Sequence, residues 1–63
     1  MPAGEIIIET QRIGAILRVA AVDVATGTEV TFQAPLTASP LSIRQLAASK
    51  LRYVMRKAAQ PKA

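Results

Sequence analysis

The stretch that decides the fold is Asp23-Val24-Ala25-Thr26-Gly27-Thr28-Glu29-Val30-Thr31-Phe32-Gln33-Ala34-Pro35, followed after three residues by Ser39-Pro40. Asp23 to Thr28 reads as a turn. The Asp carboxylate can accept from backbone amides ahead of it, and Gly27 supplies the positive φ that closes a type I turn with a G1 bulge. Val30, Phe32 and Ala34 then alternate with Glu29, Thr31 and Gln33, the period of a half-buried strand over 28–34. Pro35 ends that pattern. Ser39 is a helix N-cap, and Pro40 suits the first helical position, where a missing N–H costs nothing. A hairpin strand therefore gives way to a helix inside this one stretch.

Reading toward the N-terminus, residues 15–23 form a second strand. Arg18 marks its outer face and leaves Leu17, Val19 and Ala21 inward. Residues 5–12 form a first strand, β-branched and bounded by Gly4 and Gly14. Ile6, Ile8 and Thr10 face in, and Glu5, Ile7, Glu9 and Gln11 face out. Arg12-Ile13-Gly14 is the turn signal between the two. Short turns make the three strands an antiparallel meander.

Reading toward the C-terminus, the helix runs over 40–58. Ile43, Leu46, Ala47, Leu51, Tyr53, Val54 and Ala58 fall on one broad side, with Gln45, Ser49, Arg52 and Arg56 opposite. Such a helix is roughly 28 Å long, and an eight-residue strand is roughly 26 Å long. One helix thus covers one sheet face. The tail over 59–63 is expected to fray. The sequence predicts an α+β fold in a single domain, 1–63: a three-stranded antiparallel β-meander followed by one C-terminal α-helix packed on one face (βββα).

Composition excludes much chemistry. The 63 residues contain no Cys, His or Trp. There is no thiolate nucleophile, no Cys-based zinc site, and neither the usual general base nor the commonest transition-metal ligand. Ala accounts for 12 of the hydrophobic residues, so the apolar side chains suffice for one thin core. A chain this short usually needs a staple, very regular packing or a partner, which keeps oligomerisation open. No targeting signal is expected, since the residues before the first strand show neither a basic region nor a long apolar one, and no apolar stretch approaches the ~20 residues of a membrane span. The expectation is a cytoplasmic protein without membrane contact.

Paired carboxylates are the remaining catalytic option. Glu5 and Glu9 point to one face of a strand but lie about 13 Å apart along it, too far for a retaining carboxylate pair and rather wide for an inverting one. Glu29 could neighbour them only across a middle strand. Ser39 and Ser42 read as capping chemistry, and Gly4, Gly14 and Gly27 form no phosphate loop. The expectation is no enzyme, with no catalytic, cofactor-binding or metal-binding residue.

Charge divides the chain. Glu5, Glu9, Asp23 and Glu29 all precede Ser39, and from Ser39 onward there are only bases: Arg44, Lys50, Arg52, Arg56, Lys57 and Lys62. The net charge is +4. The favoured reading is a solvated helix face whose last cations complement the helix dipole. The alternative is a nucleic-acid-binding module, or one that takes another acidic partner, through Arg44, Arg52, Arg56 and Lys57. Gln45-Leu46-Ala47-Ala48-Ser49-Lys50-Leu51 looks faintly like the last helix of a double-stranded-RNA-binding domain. That family's first helix and the Lys cluster that opens its last helix are missing here. Lys50 sits among apolar helix positions. It reads as a stem snorkelling along the seam, its ammonium at the edge beside a sheet carboxylate, rather than as an anchor for an acidic group. Tyr53 reads as a ring at the core edge.

Gly4-Glu5, Arg12-Ile13-Gly14, Arg18-Val19, Asp23 to Val30 and Lys50-Leu51-Arg52-Tyr53-Val54 resemble a family of short uncharacterised alphaproteobacterial proteins. The resemblance spans nearly the whole chain. It implies a single βββα domain of unknown function and transfers no active site.

The outward face holds the last signal. The pattern that sends Ile6, Ile8, Leu17, Val19, Val30 and Phe32 inward sends Ile7, Ile16, Ala20 and Val22 outward. A solvated face alternates to polar residues, and neighbouring apolar residues on adjacent strands form an interaction patch. Ile7, Ile16, Arg18 and Val22 are the candidate protein interface, serving a weak homodimer or a protein partner. The functional expectation is a small binding or structural module acting through protein–protein contact.

Overall fold

The computed structural model describes residues 5–59. β1 (Ile6–Ile13), β2 (Ile16–Asp23) and β3 (Thr28–Pro35) form one antiparallel sheet in the order β1-β2-β3, and α1 (Pro40–Ala59) follows. The arrangement is βββα. Each strand keeps the inward set that alternation assigns. Ile8 lies opposite Ala21, and Ala21 opposite Val30. Val19 likewise lies between Thr10 and Phe32. A frayed tail was expected over 59–63; Ala59 is the last helical residue, and 60–63 lie outside the described residues.

The turns differ in detail from the expectation. Arg12 and Ile13 belong to β1, and Gly14-Ala15 makes the turn. Gly14 has φ 60°, while no non-glycine residue has positive φ. Glycine at the first central position of a two-residue hairpin is the type II′ pattern, whose twist matches the strands. Arg12 Nε donates to the Gly14 carbonyl at 3.1 Å. The second hairpin has a four-residue loop rather than a G1 bulge. Gly27, at φ 74°, donates its N–H to the Asp23 carbonyl at 2.8 Å. The extra residue gives the Asp23 carboxylate room to act as the loop's acceptor. Its Oδ2 takes the Thr26 N–H at 3.1 Å and the Thr26 hydroxyl at 2.6 Å. Thr26 Oγ1 in turn lies 2.8 Å from the Thr28 hydroxyl and accepts the Thr28 N–H at 3.2 Å.

The switch to helix follows the capping rule. Ser39 Oγ accepts the Ser42 N–H at 3.0 Å, and the Ser39 carbonyl accepts the first helical bond, from Ile43, at 3.0 Å. Ser39→Ala removes the acceptor and strands an amide. The expected cost is about 1 kcal/mol, read as a thermal midpoint lower by roughly 4–8 °C. An unchanged midpoint would show that water replaces the cap without loss.

The core is small. Val19, Ala34 and Ile43 form one cluster, and Ala21, Ala47 and Leu51 the other. Ile8 and Phe32 pack against both. The buried stripe of the helix is Ile43, Ala47 and Leu51, with Met55 half-buried behind them. It is narrower than the expected apolar side. Leu46, Tyr53 and Val54 remain 43%, 55% and 38% exposed, and Ala58 is exposed too. A three-stranded sheet is only about 10 Å across between its outer strands, so residues spaced four apart touch it and their flanking neighbours overhang. The helix also stops short of one sheet corner. Thr10 faces the helix side opposite buried Val19, yet it is exposed, in an open depression that it shares with Pro40 and Arg44 at the start of the helix.

Candidate functional site

The sheet face away from the helix is built by the residues that alternate against the core. Register arranges it in four rows across β1, β2 and β3: Ile7–Val22–Glu29, Glu9–Ala20–Thr31, Gln11–Arg18–Gln33 and Ile13–Ile16–Pro35. The two end rows are mostly apolar, and the two middle rows are mostly polar. Ile7 and Ile13 are 50% and 48% exposed, and Ile16 and Val22, on the central strand, are half-buried.

Three of the four candidate interface residues thus belong to the end rows, Ile7 and Val22 at one end and Ile16 at the other. Arg18, exposed, lies between them. It borders two shallow depressions, one shared with Glu9, Gln11 and Ala20, the other with Thr31 and Gln33. Ile13 and Pro35 complete the second apolar row; the sequence assigns Ile13 to the turn signal and ends the third strand before Pro35. The residue count between the alternating runs would have shown that a two-residue turn leaves Ile13 opposite Ile16.

The carboxylates do not converge. Glu9 and Glu29 sit in different rows with β2 between them, and Asp23 is turned inward and engaged by its own loop. Among the described residues, no group of three His, Cys, Asp or Glu comes together that could hold a metal ion. No helix is long and apolar enough to cross a membrane.

Arg44, Arg52, Arg56 and Lys57 are all exposed. At about 100° per residue they spread over more than half the helix circumference, so they form no single stripe. Arg44 lies toward the uncovered corner of β1, beside Ile8, Thr10 and Leu17. Arg56 and Lys57 occupy the last turn, where cations complement the exposed carbonyls. Lys57 Nζ stands 5.8 Å from the centroid of Tyr53. Lys50 corrects an expectation. Its ammonium lies 5.5 Å from the centroid of Phe32, so its partner is an aromatic face and not a sheet carboxylate.

A thin βββα module with one covered and one uncovered sheet face, and no assembled group of reactive side chains among the described residues, is the class that fold and surface define. Residues 3–58 match the family described as Domain of unknown function (DUF6898), and the chain belongs to that family. No curated protein and no solved structure matches it.

Proposed function

We propose that the domain is a cytoplasmic protein-binding module, not an enzyme, and that it works through its uncovered sheet face. The observation that carries this reading is the pair of apolar rows, Ile7–Val22 and Ile13–Ile16–Pro35, held either side of Arg18. Apolar anchors around a polar centre suit a partner that buries the ends and meets the guanidinium with an acidic or carbonyl oxygen. Rigid strands hold all of these side chains, so little order must be gained on binding. The separation of the carboxylates favours binding over catalysis, and a cysteine-free chain suits a reducing compartment.

The test compares the full chain with an Ile7→Lys, Ile16→Lys double variant as bait in native lysate, read by mass spectrometry. Proteins retained by the unaltered chain should be lost from the variant at least about tenfold, a change worth ~1.4 kcal/mol. Amide chemical shifts should stay native-like away from the substituted rows. Equal retention by both baits removes the sheet face from consideration.

A further inference from the structure

The free edge of β3 and the adjoining flank of α1 form a second surface, distinct from the sheet face, and its chemistry matches itself. The phase of the backbone ladder is set by one bond. Val24 donates its N–H to the Glu5 carbonyl at 2.9 Å, one step beyond the Ile6–Asp23 pair. Bonded pairs alternate along an antiparallel ladder, so Val22, Ala20, Arg18 and Ile16 bond to β1. Leu17, Val19, Ala21 and Asp23 then bond to β3, through Ala34, Phe32, Val30 and Thr28. Glu29, Thr31 and Gln33 are left with N–H and C=O directed out of the sheet, an unpaired template for another strand.

The two edges are not equivalent. The β1 edge carries Arg12, and Arg44 lies beside it on the helix. Charges on an edge discourage strand addition, and β1 carries two, Glu9 and Arg12, against Glu29 alone on β3. Beside β3 there is instead a groove in which Val30, Leu46, Tyr53 and Val54 share the lining with Thr31, Ser49 and Lys50. Its large apolar residues on the helix, Leu46, Tyr53 and Val54, are among those left exposed. Ser49, small, leaves room for another helix to come near. The two cations on this flank, Lys50 and Lys57, lie over the rings of Phe32 and Tyr53.

We propose that a second copy of this chain adds antiparallel to β3, about a two-fold axis through Thr31. This goes beyond the sheet-face reading and does not depend on it. In that register Thr31 bonds to the partner's Thr31, and Glu29 to the partner's Gln33, so every outward N–H of this stretch finds a carbonyl. On the helix side Val30 meets the partner's Phe32, a β-branched–aromatic pair of the favourable kind. A two-fold through Phe32 would instead set Glu29 against the partner's Pro35, which has no N–H to give. Both helices lie on one side of the joined sheet. The axis exchanges the two ends of the groove, so Leu46 faces the partner's Tyr53 and Val54. A lone extended peptide would satisfy the edge but leave Leu46 and Tyr53 in water; a second copy covers both. The thin core supplies the incentive, since among the described residues half of the six buried apolar ones are Ala.

Sedimentation equilibrium of the full chain from micromolar to millimolar concentration tests this, with amide exchange as the second measurement. The chain should pass from monomer to dimer mass. Exchange at Glu29, Thr31 and Gln33 should slow as the dimer forms, while the outward amides of β1, at Ile8 and Thr10, stay fast. Thr31→Pro should weaken the dimer, because it removes an N–H that makes no bond within the chain, a change an edge strand tolerates. Tyr53→Lys, at an exposed helix position, should weaken it at least about tenfold; it serves as the second variant if Thr31→Pro fails to fold. Ile7→Lys should leave it intact. A monomer at every concentration overturns the proposal. So does a dimer that Ile7→Lys dissociates and Tyr53→Lys does not, an outcome that would leave the sheet-face reading standing. A foreign protein on the β3 edge of a chain that stays monomeric also overturns it.

Discussion

Leu51→Ala is expected to remove most of the stability of this domain. Leu51 is 1% exposed and is, with Val19, one of the two large side chains fully buried among the described residues. It packs with Ala21 and Ala47, which have no long side chain to swing into a void. A buried Leu→Ala change costs about 2–5 kcal/mol, and most where the site cannot collapse. A single small core supplies about 3–5 kcal/mol in total. The variant should therefore lose its cooperative thermal transition, or show it only at high protein concentration if self-association restores some of the loss. Leu51→Met keeps the volume and should cost less than about 1.5 kcal/mol. Denaturant titration followed by far-ultraviolet circular dichroism checks both. A Leu51→Ala loss under about 1 kcal/mol would mean that Met55 or Ile6 refills the space, and that the core is far less closely packed than described.

The alternation in the strands was enough to place nearly every sheet residue on its correct face, because a period of two admits no intermediate answer. The capped start of the helix was equally legible, since Ser39-Pro40 has a local chemical reason to be there. The width of the buried helix stripe was not. Periodicity tells which side of a helix faces the sheet, and how far round that side the sheet reaches depends on the number of strands beneath it. Leu46, Tyr53 and Val54 read as core for that reason, and their exposure turns them from packing residues into candidate contact residues. Thr10 shows the same limit from the strand side: its direction was legible, its cover was not. The apolar rows of the open face were half visible. Ile7, Ile16 and Val22 follow from alternation, but Ile13 and Pro35 join them only once register is known. The free backbone groups of β3 leave no trace in sequence at all. Which residues turn outward depends on ladder phase, which one loop bond decides.

Lys50 carries a related lesson about charge. Among Ile43, Leu46, Ala47 and Val54, a cation invites a search for an acid. The acids nearest in sequence pattern face the other side of the sheet, whereas Phe32 presents a ring on the helix side. The stem then covers apolar surface and the ammonium meets the ring, so one residue closes the β3 side of a core too thin to close itself.

Asp23→Ala should be the most damaging change outside the hydrophobic core. Asp23 is 7% exposed and is the buried polar residue among those described. Its carboxylate receives the Thr26 N–H and hydroxyl, while its carbonyl receives the Gly27 N–H. Hydrogen bonds to a charged acceptor contribute about 1.5–3 kcal/mol each in favourable cases. Water can reach the loop side of Thr26, which lowers that figure, so a loss of about 2 kcal/mol is expected. Asp23→Asn keeps one acceptor oxygen without the charge and should lose about half as much. Thr26→Val deletes the hydroxyl and keeps the branched shape. If the 2.6 Å contact between Thr26 and Asp23 is the main interaction, Asp23→Ala and Thr26→Val will be strongly non-additive, with a coupling of about 1 kcal/mol or more. The loop is bound to the rest of the fold through the Val24 N–H to the Glu5 carbonyl, and Thr26 Oγ1, whose proton goes to Asp23, touches the Met55 sulfur at 3.4 Å. Loss of Asp23 should therefore raise amide exchange at Thr26, Gly27 and Thr28 before it does so at Val19 or Ala21. Uniform acceleration across β2 and β3 would show that the carboxylate supports the whole sheet, and additive single and double variants would show that Thr26 is not its partner in stability.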